Sequence, residues 1–169
     1  KTSEPQTEES PFVPNGQKSI VRANMATMLL EEMNKNNIEA VICRAPEFYG
    51  TGKTQSITNS MIFNNIKQSK KLKVPISDNT KRTLIFTPDA SRAMALIGNT
   101  PNAYNQTWHL PCDDNRLTYK EFINFASKIY QRELKYAVLK MWIFNLGSLF
   151  SKQIKELQEM LPRYKHDNI

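Results

Sequence analysis

The residues best placed to do chemistry in this chain are two cations four positions apart, Lys18 and Arg22. On a helix that spacing puts them on one face. The same stripe carries Met25, Ala26, Leu29 and Met33 and is expected to face a core. Cations leading off an apolar seam cost free energy unless something anionic meets them. The competing reading lets both side chains snorkel to water from the helix end. Gly52-Lys53-Thr54 has the look of the end of a phosphate-binding loop. That loop needs a glycine five residues earlier so that its backbone can wrap the phosphates, and the position holds Glu47. An ordinary loop is expected.

The run Lys67 to Lys73, with Lys81 and Arg82 close by, offers a grip on phosphate groups of nucleic acid or of a phosphorylated substrate. Nucleic-acid binders add aromatic stacking platforms or a recognisable module, and the sequence shows neither around these lysines. A solvated loop is the preferred reading, and nucleic acid the weakest of the three. His109, in Trp108-His109-Leu110-Pro111, reads as a satisfied structural residue. Cys43 is expected to pack in a sheet, and Cys112 has no base nearby in sequence to activate it. Asn105-Gln106-Thr107 matches a glycosylation sequon, but nothing else argues for secretion.

The elements that must position these groups follow from periodicity. A helix is predicted from about Lys18 to Met33, then a buried strand at Ala40 to Cys43, short, apolar and β-branched as in a parallel sheet. A second helix is expected over Ile57 to Gln68, followed by the basic loop and a strand at Thr83 to Phe86. Thr87-Pro88-Asp89 starts another helix, with the hydroxyl as cap and proline in the first turn. Gly98 is expected to close it in the left-handed conformation. A strand at Thr107 to Leu110 comes next. Thr118 and Glu121 form a capping box ahead of an amphipathic series, Tyr119, Phe122, Ile123, Ala126, Ile129 and Tyr130. Leu139 to Phe150 is apolar nearly all round, so it is buried or covered by a partner. Ile154, Leu157 and Leu161 mark a last helix.

At 169 residues the chain is one domain or a large half of a bigger one, with enough length to bury a core. Its hydrophobic content of 40% and charged content of 23% exclude wholesale disorder, a coiled coil and a collagen-like chain. No apolar run is long enough for a membrane span, so no membrane partner is expected. Two cysteines and two histidines give neither a disulfide scaffold nor a zinc site, and no metal is expected. A net charge of +7 directs attention to anionic partners. Residues 1–17 lack signal-peptide anatomy and read as an exposed segment. The first residue is not Met, so the natural N-terminus is expected elsewhere.

Several segments, in order, resemble the C-terminal half of the extended short-chain dehydrogenase/reductase family, the NAD-dependent epimerase/dehydratases. Glu9-Ser10-Pro11 and Pro14 to Lys18 resemble the lead-in to the family's Tyr-x-x-x-Lys helix. Arg44-Ala45-Pro46-Glu47-Phe48-Tyr49-Gly50 is similar to its Arg-Pro-x-Asn-Val-Tyr-Gly turn. Arg82 to Asp89 resembles its Arg-Asp strand ending in an Asp-led helix, and Thr107 to Leu110 with Leu117-Thr118 its late strand and helix. The resemblance implies an α/β fold: the late part of a doubly wound, Rossmann-like sheet over residues 1–53. A smaller substrate-side lobe over 54–169 returns one or two strands to the sheet.

It also implies a cytoplasmic oxidoreductase or epimerase using NAD or NADP on a sugar nucleotide or similar phosphate-bearing small molecule, with a homodimer as one assembly. Lys18 and Arg22 fall where the family has its catalytic Tyr and Lys. Ala45 and Pro46 would lie near the nicotinamide, and Glu47, Tyr49 and Arg82 would meet substrate, Arg82 at a phosphate. Three departures stand out. The phenol is missing, so Lys18 would have to lose its proton near neutrality, helped by Arg22 and by burial. Glu47 replaces the family's Asn. The glycine-rich dinucleotide turn is also absent from a chain with only 5 glycines, which reads as a fragment. The alternative is an inactive dinucleotide-binding sensor or scaffold.

Overall fold

The computed structural model describes residues 5–50, 52 and 54–168, so Lys53 of the rejected phosphate-loop motif lies outside the described residues. The first helix, α1 (Gln17–Asn34), opens at Gly16, where φ is 105°. A Cβ there would also lie 2.6 Å from the Glu159 carboxylate, so only glycine fits on both counts. The covered face of α1 runs through Ser19, Ala23, Ala26, Leu30 and Met33, and only Met33 is fully buried. Lys18, Arg22 and Met25 are exposed, Met25 by 61%. This corrects the expected stripe in part: Ala26, Leu29 and Met33 are covered as expected, but the inward side turns away from Lys18, Arg22 and Met25 toward Ser19, Ala23 and Leu30. The long cations stay in water.

Six strands follow: β1 (Val41–Arg44), β2 (Glu47–Tyr49), β3 (Leu72–Pro75), β4 (Leu84–Phe86), β5 (Gln106–His109) and β6 (Tyr136–Leu139). They pair in parallel as β1 with β5, β2 with β4 and β3 with β6, in registers Val41↔Gln106, Glu47↔Leu84 and Leu72↔Tyr136. The parallel α/β arrangement expected from the sequence is therefore present. β3 occupies part of what reads as the basic loop. Leu72 and Val74 are buried there while Lys71 and Lys73 point outward, the alternation of a half-buried strand.

The helix expected over Ile57 to Gln68 is broken by a π turn at Asn59–Phe63 before α2 (Asn64–Lys67). Asn59 is buried at the slip, where its amide bonds the Gly50 and Thr54 carbonyls and accepts the Gly50 N–H. α3 (Thr87–Gly98) differs from expectation at both ends. The Thr87 hydroxyl donates to the Tyr49 carbonyl at 3.0 Å instead of capping. Gly98 stays helical, because Asn99, Thr100 and Tyr104 donate side-chain hydrogen bonds to the Ala95, Leu96 and Gly98 carbonyls. α4 (Tyr119–Ile129) has the complete capping box.

α5 (Met141–Ser148) and α6 (Lys152–Gln158) pack together through Gly147 and Ile154. Of the apolar run, Phe144 is buried while Trp142, Leu146, Leu149 and Phe150 are exposed. Leu161 is fully buried in a 3-10 turn, Leu161–Lys165. The larger core joins β3, α4 and this turn through Ile62, Leu72, Val74, Tyr119, Ile123 and Tyr164. A smaller core of Ile85, Ala90 and Leu110 takes in the free thiols Cys43 and Cys112. Among the described residues no helix is long and apolar enough to cross a membrane.

Candidate functional site

β2 carries Glu47 and Tyr49 on the same side, two residues apart, toward the π turn and α4. One Glu47 oxygen accepts hydrogen bonds from the Thr58 N–H and hydroxyl at 2.8 and 2.7 Å. The other accepts from the Tyr164 hydroxyl at 2.9 Å and stands 3.4 Å from the Tyr119 hydroxyl oxygen. Thr58 spends its one hydroxyl proton on Glu47, so at 2.8 Å the Tyr119 hydroxyl serves as its donor. Arg82, two residues before β4, approaches the carboxylate at 3.9 Å with only 4% of its side chain exposed. Its guanidinium also lies 4.2 Å from the Tyr164 ring centre and donates to the Arg163 carbonyl. Burial, and then the Glu47 charge, push both phenols well above the ordinary tyrosine range. The structure thus brings Glu47 and Arg82 together, in a charge-matched pocket closed by the two tyrosines. One donor is left over: the Arg82 Nε is buried and has no acceptor among the described residues.

Tyr49 stands one layer away, stacked on Phe63 at 5.9 Å and edge-on to Phe122. Burial, then the charges of Asp89 and Asp113, raise its phenol. Its ring lines a cleft of about 480 Å³ with Phe63, Asn64, Lys67, Phe86 and Tyr130. Sequence reasoning missed Thr58, Tyr119 and Tyr164. Tyr119 left one trace, since a tyrosine on the buried stripe of a helix needs a partner for its hydroxyl. Nothing local ties residue 164 to residue 47.

Lys18 lies elsewhere, on α1, with its ammonium 2.7 Å from the Glu156 carboxylate and its side chain 56% exposed. Arg22, also exposed, has no partner among the described residues. The desolvation that the sequence argument required for Lys18 is not met in this arrangement. Arg44, the last residue of β1, donates to the carbonyls of Thr7 and Ser10 and stacks over Phe12 at 4.7 Å. Glu8 accepts the His109 N–H at the end of β5, and that bond holds its carboxyl below the usual range. The lead-in loop therefore lies across the carboxyl ends of β1 and β5, where open parallel sheets bind ligands. Ala45 and Pro46 sit at that edge. The residues described do not suit a diphosphate: the Gly16 opening of α1 is covered by the Glu159 carboxylate.

Residues 1–109 match the model of the NAD dependent epimerase/dehydratase family. The chain belongs to this family. Comparison with curated proteins finds no match. Among solved structures, this epimerase/dehydratase-family chain is similar to UDP-N-acetylglucosamine 4-epimerase from Methanobrevibacter ruminantium, 13% identical with a TM-score of 0.71 over 83% of this chain and 46% of that one. UDP-glucuronic acid 4-epimerase from Bacillus cereus is 15% identical with a TM-score of 0.70, over 82% and 44%. dTDP-glucose 4,6-dehydratase from Bacillus anthracis, solved with NAD, is 17% identical with a TM-score of 0.66, over 82% and 45%. Likeness at such identities establishes the fold, and the family chain spans less than half the length of these proteins.

Proposed function

We propose that the whole protein is a cytoplasmic, NAD-dependent enzyme of the epimerase/dehydratase type acting on a sugar nucleotide. This chain forms the substrate side of its active site. The family match supports the cofactor, and two thiols without a disulfide are compatible with a reducing compartment. The division near residue 53 then separates a sheet segment from a substrate lobe. The observation that carries the substrate class is Arg82. Its buried, unpaired Nε–H offers a donor that a phosphate oxygen can accept, and Glu47 and Tyr164 fix its plane.

The chemistry supplied by bound nicotinamide is hydride exchange, and residues outside this chain must hold its diphosphate. Within the chain, Ala45 and Pro46 would lie near the ring and Tyr49 would meet substrate from the cleft wall. Lys18, once released from Glu156, holds or takes a proton at a substrate hydroxyl, with Arg22 one turn away. A homodimer belongs to the same reading, since α1 leaves Val21, Met25 and Met28 exposed.

One observation favours a second reading. The Lys18 ammonium is in water and paired with a carboxylate, as in a sensor or scaffold that binds the dinucleotide and does no chemistry. A cofactor titration of the whole protein, followed by nicotinamide absorbance with a panel of sugar nucleotides, separates the two. Turnover that disappears in Lys18→Met establishes the enzyme. Tight binding without redox change or epimerisation establishes the sensor.

A further inference from the structure

The fold gathers cations that lie far apart in the sequence. β3 and β6 pair from Leu72↔Tyr136, and the Leu72 N–H donates to the Lys135 carbonyl, which sets Lys71 beside Lys135. The Arg132 guanidinium donates to the Ser69 hydroxyl at 3.3 Å and the Ile66 carbonyl at 3.0 Å, tying the second segment to the first. Lys67, Lys70, Lys71, Lys73, Arg132 and Lys135 are all exposed, and none of them is in a salt bridge among the described residues. Across 67–73 and 132–135 the one carboxylate is Glu133, so these two short segments hold most of the chain's excess of +7. Lysines in such numbers are depleted at protein–protein interfaces. They suit a chain of phosphates.

The aromatic platform that the sequence lacks near these lysines is supplied by tertiary structure. Tyr130, 48% exposed, lines the 480 Å³ cleft together with Lys67, and Phe63 forms part of the same wall. From that cleft the cations lead along the start of β3. Lys71 and Lys73 project from one face about 6.6 Å apart, close to the step between successive phosphates of an extended strand. A recessed ring beside a cationic track is how single strands are held without sequence preference. A flat membrane surface would leave the cleft unused.

We propose that this face binds single-stranded nucleic acid, with one base against Tyr130 in the cleft and the following phosphates on Lys67, Lys70, Lys71 and Lys73. The cleft shares Tyr49 with the proposed substrate side but is lined by neither Glu47 nor Arg82, and the proposal does not depend on the enzymatic reading.

The test is fluorescence anisotropy of the whole protein with a labelled single-stranded oligonucleotide of about 12 residues, a length within known single-strand site sizes. Affinity should fall steeply with salt, with a log–log slope approaching about −3 if the four phosphates are met. Lys70→Glu with Lys71→Glu should weaken binding at least tenfold and flatten that slope. Tyr130→Ala should weaken it by about 5- to 100-fold with the slope unchanged, and Tyr130→Phe should restore it. These positions are exposed, and a matching thermal midpoint confirms that each variant is folded. Absent binding at low salt overturns the proposal. So does equal competition by inorganic polyphosphate with no effect of Tyr130→Ala, or a preference for phosphatidylglycerol vesicles over the oligonucleotide. Cofactor titration is read separately, so failure of one reading is distinct from failure of the other.

Discussion

The Glu47 pocket and the α1 helix carry residues matched to the same family active site, and they are built in opposite ways. Around Glu47 every carboxylate oxygen has donors, the facing guanidinium is buried, and two tyrosines close the space. Along α1 the cations stand in water and three large apolar side chains, Val21, Met25 and Met28, have more than half their surface exposed. The pocket matches its charges within this chain, with the Arg82 Nε left unpaired. The helix presents its chemistry to something beyond it. Residues that the family resemblance assigns to one active site therefore differ in what holds them in place, and substitution separates the two cases.

The largest effect is expected at Glu47. Glu47→Ala leaves Arg82 buried without its counter-charge and orphans the Thr58 and Tyr164 donors, which should cost about 3–5 kcal/mol in denaturant unfolding. A loss below about 1 kcal/mol would mean that the pair is open to water and that the contrast with α1 is false. The tyrosines give a pH signature of the same pocket. Their native pKa values are raised, so above the unfolded value of about 10 the unfolded state sheds protons first. Stability should be fully present below about pH 10 and fall as pH rises beyond it, by up to about 1.4 kcal/mol per pH unit for each phenol. Tyr119→Phe should remove part of that slope, and an unchanged slope would assign the titration elsewhere.

A smaller effect, about 1 kcal/mol, is expected for Thr118→Ala, which removes the cap of α4 that carries Tyr119 into the pocket. On α1, Lys18→Met and Met25→Ser should each change the unfolding free energy by less than about 0.5 kcal/mol, because the groups removed are exposed. Destabilisation of 2 kcal/mol or more would show that the helix face is covered after all.

How much was legible follows the same division. The α4 helix declares itself locally through Thr118 and Glu121, and its buried side runs through Tyr119, Ile123 and Ala126, while Ile129 and Tyr130 of the expected series are exposed. The short apolar run near Cys43 announces a parallel strand. The Lys71–Val74 alternation was present in the sequence, but the density of lysines disguised a strand as a loop. The face of α1 was misread because Met25 looks like core, whereas the small Ala23 sets the inward side. Arg82 and Glu47 were singled out individually; their pairing, and the part of Tyr164, depend on contacts across the whole chain that no local pattern encodes.

Among the described strands, no pairing joins immediate neighbours. Val41 must wait for Gln106, Glu47 for Leu84 and Leu72 for Tyr136. During synthesis, then, each early strand emerges from the ribosome with bare backbone edges and stays unsatisfied until a distant segment is translated. Such topologies close slowly and expose sticky surface meanwhile, so the nascent polypeptide should depend on chaperone protection until β6 arrives.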